Sequence, residues 1–241
     1  MHNDNSIFLI ADKIVRELRN GYGLTGYEYE ELVRKYGDMK VSIIKMDAER
    51  ITYNFYTQTG EPYGLVTGKQ FGQSHVAEYP PIRKENTIVP ILPIINLQYY
   101  YDQNEFYSSA YHELVHYFSI GTWNIRFRDK DRMIVEHYSG IIKRVYTYSQ
   151  NKIVLQSTES DVLNEAITDY IARILYERIE NKPYHSGVTY AETSAYAYLE
   201  QTLLTDQEKN KFINLYLTNK VEIIYDFLRK NKDTLYKIRI I

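Results

Sequence analysis

The chain has 241 residues, no cysteine and a formal net charge of −2. That length is ample for a buried core, as one domain or two small ones. The near-neutral charge gives no bulk attraction to nucleic acid or to an anionic membrane, and the missing cysteine excludes both a disulfide framework and a thiolate-ligated metal.

No apolar run approaches the ~20 residues that span a bilayer. The stretch Ile7 to Ala11 is too short for a secretory signal and has neither a basic flank before it nor a small-residue cleavage site after it. The expectation is a soluble, cytoplasmic protein, or a secreted one given without its leader. Tyrosine is abundant, at 26 residues. The tyrosines are spread along the chain instead of clustering beside basic residues, which points to an AT-rich genome and not to a platform for stacked bases.

Taken in order, residues 6–19 predict a helix, with Ser6 as N-cap and Ile7, Ile10, Ala11, Ile14, Val15 and Leu18 as its apolar stripe. A second helix is expected from about Tyr27 to Tyr36, stopped by Gly37. Val41 to Met46 and Arg50 to Tyr56 are β-branched and aromatic, as strands are. Glycines and prolines punctuate Gln58 to Asn86, which reads as a long loop with a solvated His75. Thr87 to Leu97 is apolar but carries Pro90 and Pro93, so it reads as an edge strand or extended segment, a place to hold a peptide by β-augmentation.

Asp102 and Glu105 then suggest a capped helix start. Phe106, Ala110, Leu114, Tyr117 and Phe118 recur at helical spacing through Ser119. Within that helix stands His112-Glu113-Leu114-Val115-His116. Two histidines four residues apart stack on one helix face, where one tetrahedral metal ion can accept both. Glu113 is rotated about 100° from His112, so it can work on a metal-activated water instead of binding the metal. This is the pattern of a metallopeptidase, with two zinc ligands and a general base.

Met133 to Val135 and a hairpin, Ile141 to Tyr148 and Lys152 to Gln156 around Ser149-Gln-Asn151, follow. Thr158 with Asp161 marks the next helix start. That helix turns Val162, Leu163, Ala166, Ile167, Tyr170, Ile171, Ile174 and Leu175 to the core and ends at Lys182-Pro183. Thr189 with Glu192 is a further capping box with Tyr190 first in the helix. From Ala191 to about Lys230 the pattern is helical, with breaks near Thr205 and Asn219.

A catalytic zinc needs a third protein ligand and one open position. Glu165, an acid on an otherwise apolar helix start, is the candidate. Asp169 lies on the same face four residues later, placed to accept the other ring N–H of a bound histidine, His112. His112-Glu-x-x-His116 followed by Asn164-Glu165-Ala166-x-x-Asp169 resembles the gluzincin metallopeptidases, the thermolysin-like clan. Glu165 follows His116 by 49 residues (165 − 116), a longer gap than thermolysin's own, because the hairpin segment is interposed. The metzincin extension is absent, since Ser119 and Thr122 stand where it requires Gly and His.

The resemblance implies an α+β, zincin-like fold with a small sheet packed on the His-Glu-x-x-His helix. Residues 1–241 would form one domain: a helical N-terminal layer (1–40), the sheet with the metal helix (41–156) and a helical part carrying the third ligand (157–241). It further implies a zinc-dependent peptidase acting on a peptide or protein, with a Tyr and a His from outside the two helices stabilising the transition state. His137, Tyr184, His185 and Tyr190 are the candidates, with Tyr190 and His185 preferred. The competing expectation is a non-catalytic zincin-like regulatory or binding module, whose closed site would take His137 or His185 as fourth ligand. A protease dedicated to cleaving one regulator is a third.

Overall fold

A computed structural model describes residues 4–44, 52–56, 62–67, 74–79, 82–84, 87–89, 91–98, 103–127, 132–149, 152–158, 161–185, 190–203 and 205–228. Two helices come first, α1 (Asp4–Asn20) and α2 (Gly26–Asp38). α1 starts ahead of Ser6, which therefore lies inside the first turn and is not its cap. Its stripe from Ile7 to Leu18 is buried as the periodicity requires. Gly37 is inside the last turn of α2, not beyond it.

The strands that follow are short: β1 (Lys40–Ile44), β2 (Thr52–Tyr56), β3 (Pro62–Thr67), β4 (His75–Ala77), β5 (Ile82–Lys84), β6 (Thr87–Val89) and β7 (Ile94–Gln98). β2 pairs with β3, and β5 with β6, as antiparallel hairpins. β7 is the inner strand of a three-stranded sheet, parallel to β1 and antiparallel to β4. Two sequence expectations are corrected here. The stretch Gln58 to Asn86 is not plain loop, because β3, β4 and β5 lie within it. Strands of three to six residues carry too little alternation to outweigh the surrounding glycines and prolines. Thr87 to Leu97 is not one edge strand either: it is split into β6 and the inner β7. Pro93 falls just before β7, where it removes no ladder bond.

The chain then enters α3 (Gln103–Ser119) and passes directly into an antiparallel meander: β8 (Ile120–Phe127), β9 (Arg132–Ser139), β10 (Ile142–Ser149) and β11 (Lys152–Thr158). The expected hairpin is β10 and β11, while β8 had no sequence signal separating it from the helix before it. The expected turn at 150–151 and the capping boxes at Asp102 and Thr189 fall outside the described residues. The helical part is α4 (Asp161–Glu180), α5 (Tyr190–Thr202), α6 (Asp206–Leu217) and α7 (Val221–Leu228). Its breaks are where the pattern put them. Thr205 and Glu208 form a reciprocal capping box on α6, and Asn219 takes a left-handed φ of 58° before α7.

α3 is buried round most of its circumference, including Phe106, Ala110, Tyr111, Leu114, Val115, Tyr117 and Phe118. A helix of that kind belongs at the centre of the core. α4 packs along it, β7 and β4 lie beside it, and α1 and α2 cover it. Lys35 of α2 donates its ammonium to Phe118 O at 2.7 Å, a cation at the C-terminal end of α3. Tyr117 OH returns a bond to Lys35 O at 2.8 Å.

Many of the tyrosines are core residues. Tyr111, Tyr170, Tyr176, Tyr198 and Tyr216 are almost wholly buried. Tyr111 is anchored on Glu180 at 2.8 Å and Tyr198 on Leu228 O.

Candidate metal centre

His112 and His116, one turn apart on α3, face the start of α4 with ring centroids 4.7 Å apart. Glu165, on the first turns of α4, meets both. Its Oε2 is 3.3 Å from His112 Nε2 and 3.2 Å from His116 Nε2, and the two Nε2 atoms are 3.0 Å apart. Three donor atoms thus form a nearly equilateral triangle. Helix spacing sets the histidine edge of this triangle, and the packing of α4 on α3 sets the other two.

The triangle fits a metal ion. Ligands at 2.0–2.1 Å in a tetrahedral site are separated by roughly 3.3 Å, which matches all three edges to within a few tenths of an ångström. The chemistry of the donors points the same way. His112 Nδ1 is 3.6 Å from Asp169 Oδ1 and His116 Nδ1 is 3.3 Å from Thr168 Oγ1. With the ring protons directed to those oxygens, both Nε2 lone pairs converge with a carboxylate oxygen on one point, an arrangement that calls for a cation. The local field agrees. Burial works against a charge on His112, but the carboxylates of Asp169 and Glu165 outweigh it and push its pKa up to about 10. Burial also opposes charge on Glu165, yet the two imidazoles hold its carboxyl well below the usual range. No fourth His, Asp or Glu joins the group among the described residues.

Glu113, next to His112 on α3, is not one of the three grouped donors. It is 5% exposed, and its Oε2 has no hydrogen-bond partner among the described residues. Burial raises its pKa, against the lowering effect of His112 and His116. A buried carboxylate oxygen without a partner is rare and asks for a role.

Behind the three grouped donors are two polar chains. Asp169, buried on α4, accepts Tyr184 OH at 2.9 Å through the same oxygen that faces His112. Tyr184 is therefore bonded to the carboxylate backing His112. Thr168 was missed in the sequence. Its hydroxyl lies between His116 Nδ1 and Tyr216 OH, the latter at 2.7 Å, and Tyr216 OH donates to Asn164 Oδ1 at 2.8 Å. The only sequence signal for Thr168 was its place four residues after Asn164 on the inner face of α4.

The remaining candidates are dispersed. His185 is exposed, and its backbone N–H donates to Ser108 Oγ at 3.2 Å, one turn before His112. Tyr190 is the first residue of α5. His137 is 1% exposed on β9, stacked on Trp123 at 3.8 Å, with Nδ1 3.3 Å from Glu78 Oε2. It does not belong to the donor group. His75 is exposed as expected but lies on strand β4, with its Nε2 3.2 Å from Asn96 Nδ2. Comparison with protein-family models, with curated proteins and with solved structures finds no match in any of the three.

Proposed function

We propose that the chain is a zinc-dependent metallopeptidase of the gluzincin type, with a zincin-like fold, acting on a peptide or protein substrate. The observation that carries this reading is a pair of features side by side. One is the His112–His116–Glu165 triangle of tetrahedral edge length; the other is the buried, unpartnered carboxylate oxygen of Glu113. A purely structural site needs four protein ligands and has no use for such a carboxylate. Among the described residues no fourth His, Asp or Glu joins the donor group, which favours catalysis over a closed regulatory module.

His112, His116 and Glu165 would hold the zinc, and the ion supplies Lewis acidity to the scissile carbonyl and lowers the pKa of water toward ~7. Glu113 accepts a proton from the attacking water as its oxygen bonds to the carbonyl carbon. It then delivers that proton to the amide nitrogen as the C–N bond breaks. Burial raises the pKa of Glu113 from the ordinary carboxylate value, the direction a general base requires. Asp169 keeps His112 turned to the metal. Tyr190 and His185 remain the candidates for hydrogen bonding the developing oxyanion. β4 is at the edge of its sheet among the described strands and beside α3, where an extended peptide would pair.

Two variants test the assignment, with zinc content and peptide cleavage measured together. Glu113→Gln keeps near wild-type zinc while cleavage falls by about 10²–10⁴-fold. Glu165→Ala loses both. Loss of zinc from Glu113→Gln would make Glu113 a ligand, and unchanged hydrolysis in both variants would make the helix pair structural. Among the described residues no helix is long and apolar enough to cross a membrane.

A further inference from the structure

We infer that Tyr216, on helix α6, is a positioning residue for the metal centre, acting through Thr168 to fix the tautomer of His116. The inference rests on the metal-site reading above and extends it to a part of the chain outside the two motif helices.

The argument is one of proton direction. The backbone N–H of Ile141, in the β9–β10 turn, donates to Asn164 Oδ1 at 2.9 Å. That bond fixes the amide orientation, because the reversed amide would set a donor against a donor. Asn164 Oδ1 can then only accept, so Tyr216 OH, 2.8 Å away, spends its single proton there. The phenol oxygen is left as an acceptor, and the Thr168 hydroxyl at 2.7 Å must donate to it. Thr168 Oγ1 in turn has only lone pairs to offer His116 Nδ1 at 3.3 Å. The proton of His116 is therefore on Nδ1, and Nε2 presents a lone pair to the point shared with His112 and Glu165.

Each link of the chain runs one way, from Ile141 and from His116 toward Asn164 Oδ1. Asn164, Thr168 and Tyr216 are all 0% exposed, so water does not offer a competing donor. Asn164 Nδ2 has no partner among the described residues, so two donors converging on its oxygen, not the needs of its amide, set the side chain. His112 is oriented differently, by the carboxylate of Asp169. The two ligands are thus held by separate devices, one ionic and one a chain of neutral hydroxyls. Without the phenol, the Thr168 proton is released. It can turn to His116 Nδ1, which allows the Nε2–H tautomer and aims a proton at the metal position.

The test combines zinc affinity, measured by chelator competition, with long-range ¹H–¹⁵N spectra of metal-free protein at alkaline pH. Tyr216→Phe and Thr168→Val should each weaken zinc binding by about 10–100-fold. Both should show His116 as a mixture of tautomers, whereas Thr168→Ser should match the wild type, which carries the proton on Nδ1. Unchanged affinity and tautomer in both Tyr216→Phe and Thr168→Val would overturn the proposal, whatever their thermal stability. If neither variant folds, the wild-type spectrum decides: Nδ1–H supports the relay and Nε2–H overturns it. Wild-type protein that takes up no zinc overturns the metal-site reading and this inference with it. Normal zinc uptake with unaffected variants overturns the relay alone.

Discussion

His137→Phe isolates the effect of one buried histidine on stability. His137 is 1% exposed, stacked on Trp123, and 3.3 Å from Glu78 Oε2, whose other oxygen is 3.0 Å from Arg144. Burial pushes its pKa down to about 4 from 6.5, the attraction of Glu78 being too weak to compensate and Arg144 acting with burial. The unfolded chain therefore binds a proton below pH 6.5 that the native state refuses until about pH 4. Stability is fully present above the unfolded pKa and falls with pH through that window. The loss is about 2 kcal/mol by about pH 5 and levels off near 3 kcal/mol. Phenylalanine preserves the ring on Trp123 and cannot titrate. Urea unfolding at a series of pH values should show this decline in the wild type and a flatter profile in His137→Phe. Equal slopes in the two proteins, or a His137 titrating near 6.5 by NMR, would refute the reasoning. The cluster matters to the site because Glu78 directly follows β4, the strand beside α3.

Other consequences concern the residues behind the three proposed ligands. Asp169→Ala should weaken zinc binding by roughly 10–100-fold in a protein that still folds, read by chelator competition; unchanged affinity would reduce Asp169 to a partner of Tyr184. Gly140 has a φ of 56°, and a Cβ there would lie 2.2 Å from Asn164 Oδ1 and 2.3 Å from Tyr216 OH. Gly140→Ala should therefore cost about 2–4 kcal/mol in urea unfolding. Gly23→Ala, equally left-handed but with nothing within 4 Å, should cost only about 1 kcal/mol, and equal losses would remove the packing argument.

Much of the centre was legible in the sequence because its parts are local. His112 and His116 are one turn apart, and Glu165 and Asp169 are one turn apart on the next motif, so helix periodicity alone sets each pair on a common face. That the two pairs meet depends on α3 packing against α4 across the whole β8–β11 meander, which no spacing rule reports. Thr168 was hidden for the same reason: its partner Tyr216 is 48 residues away. Tyr184 was placed among the oxyanion candidates from its position after α4, and the structure instead bonds it to Asp169. The small strands were least legible. β4, with three residues, has a burial pattern too short to show a period. β8 starts at the residue after α3, and its Gly121 lies inside the strand and not ahead of it, so no turn separates the two elements.

The central claim is that His112, His116 and Glu165 hold one metal ion, and elemental analysis of purified, undialysed protein tests it most directly. Close to one zinc per chain is expected. Less than about a tenth of an equivalent, not restored when zinc is added, would contradict the account.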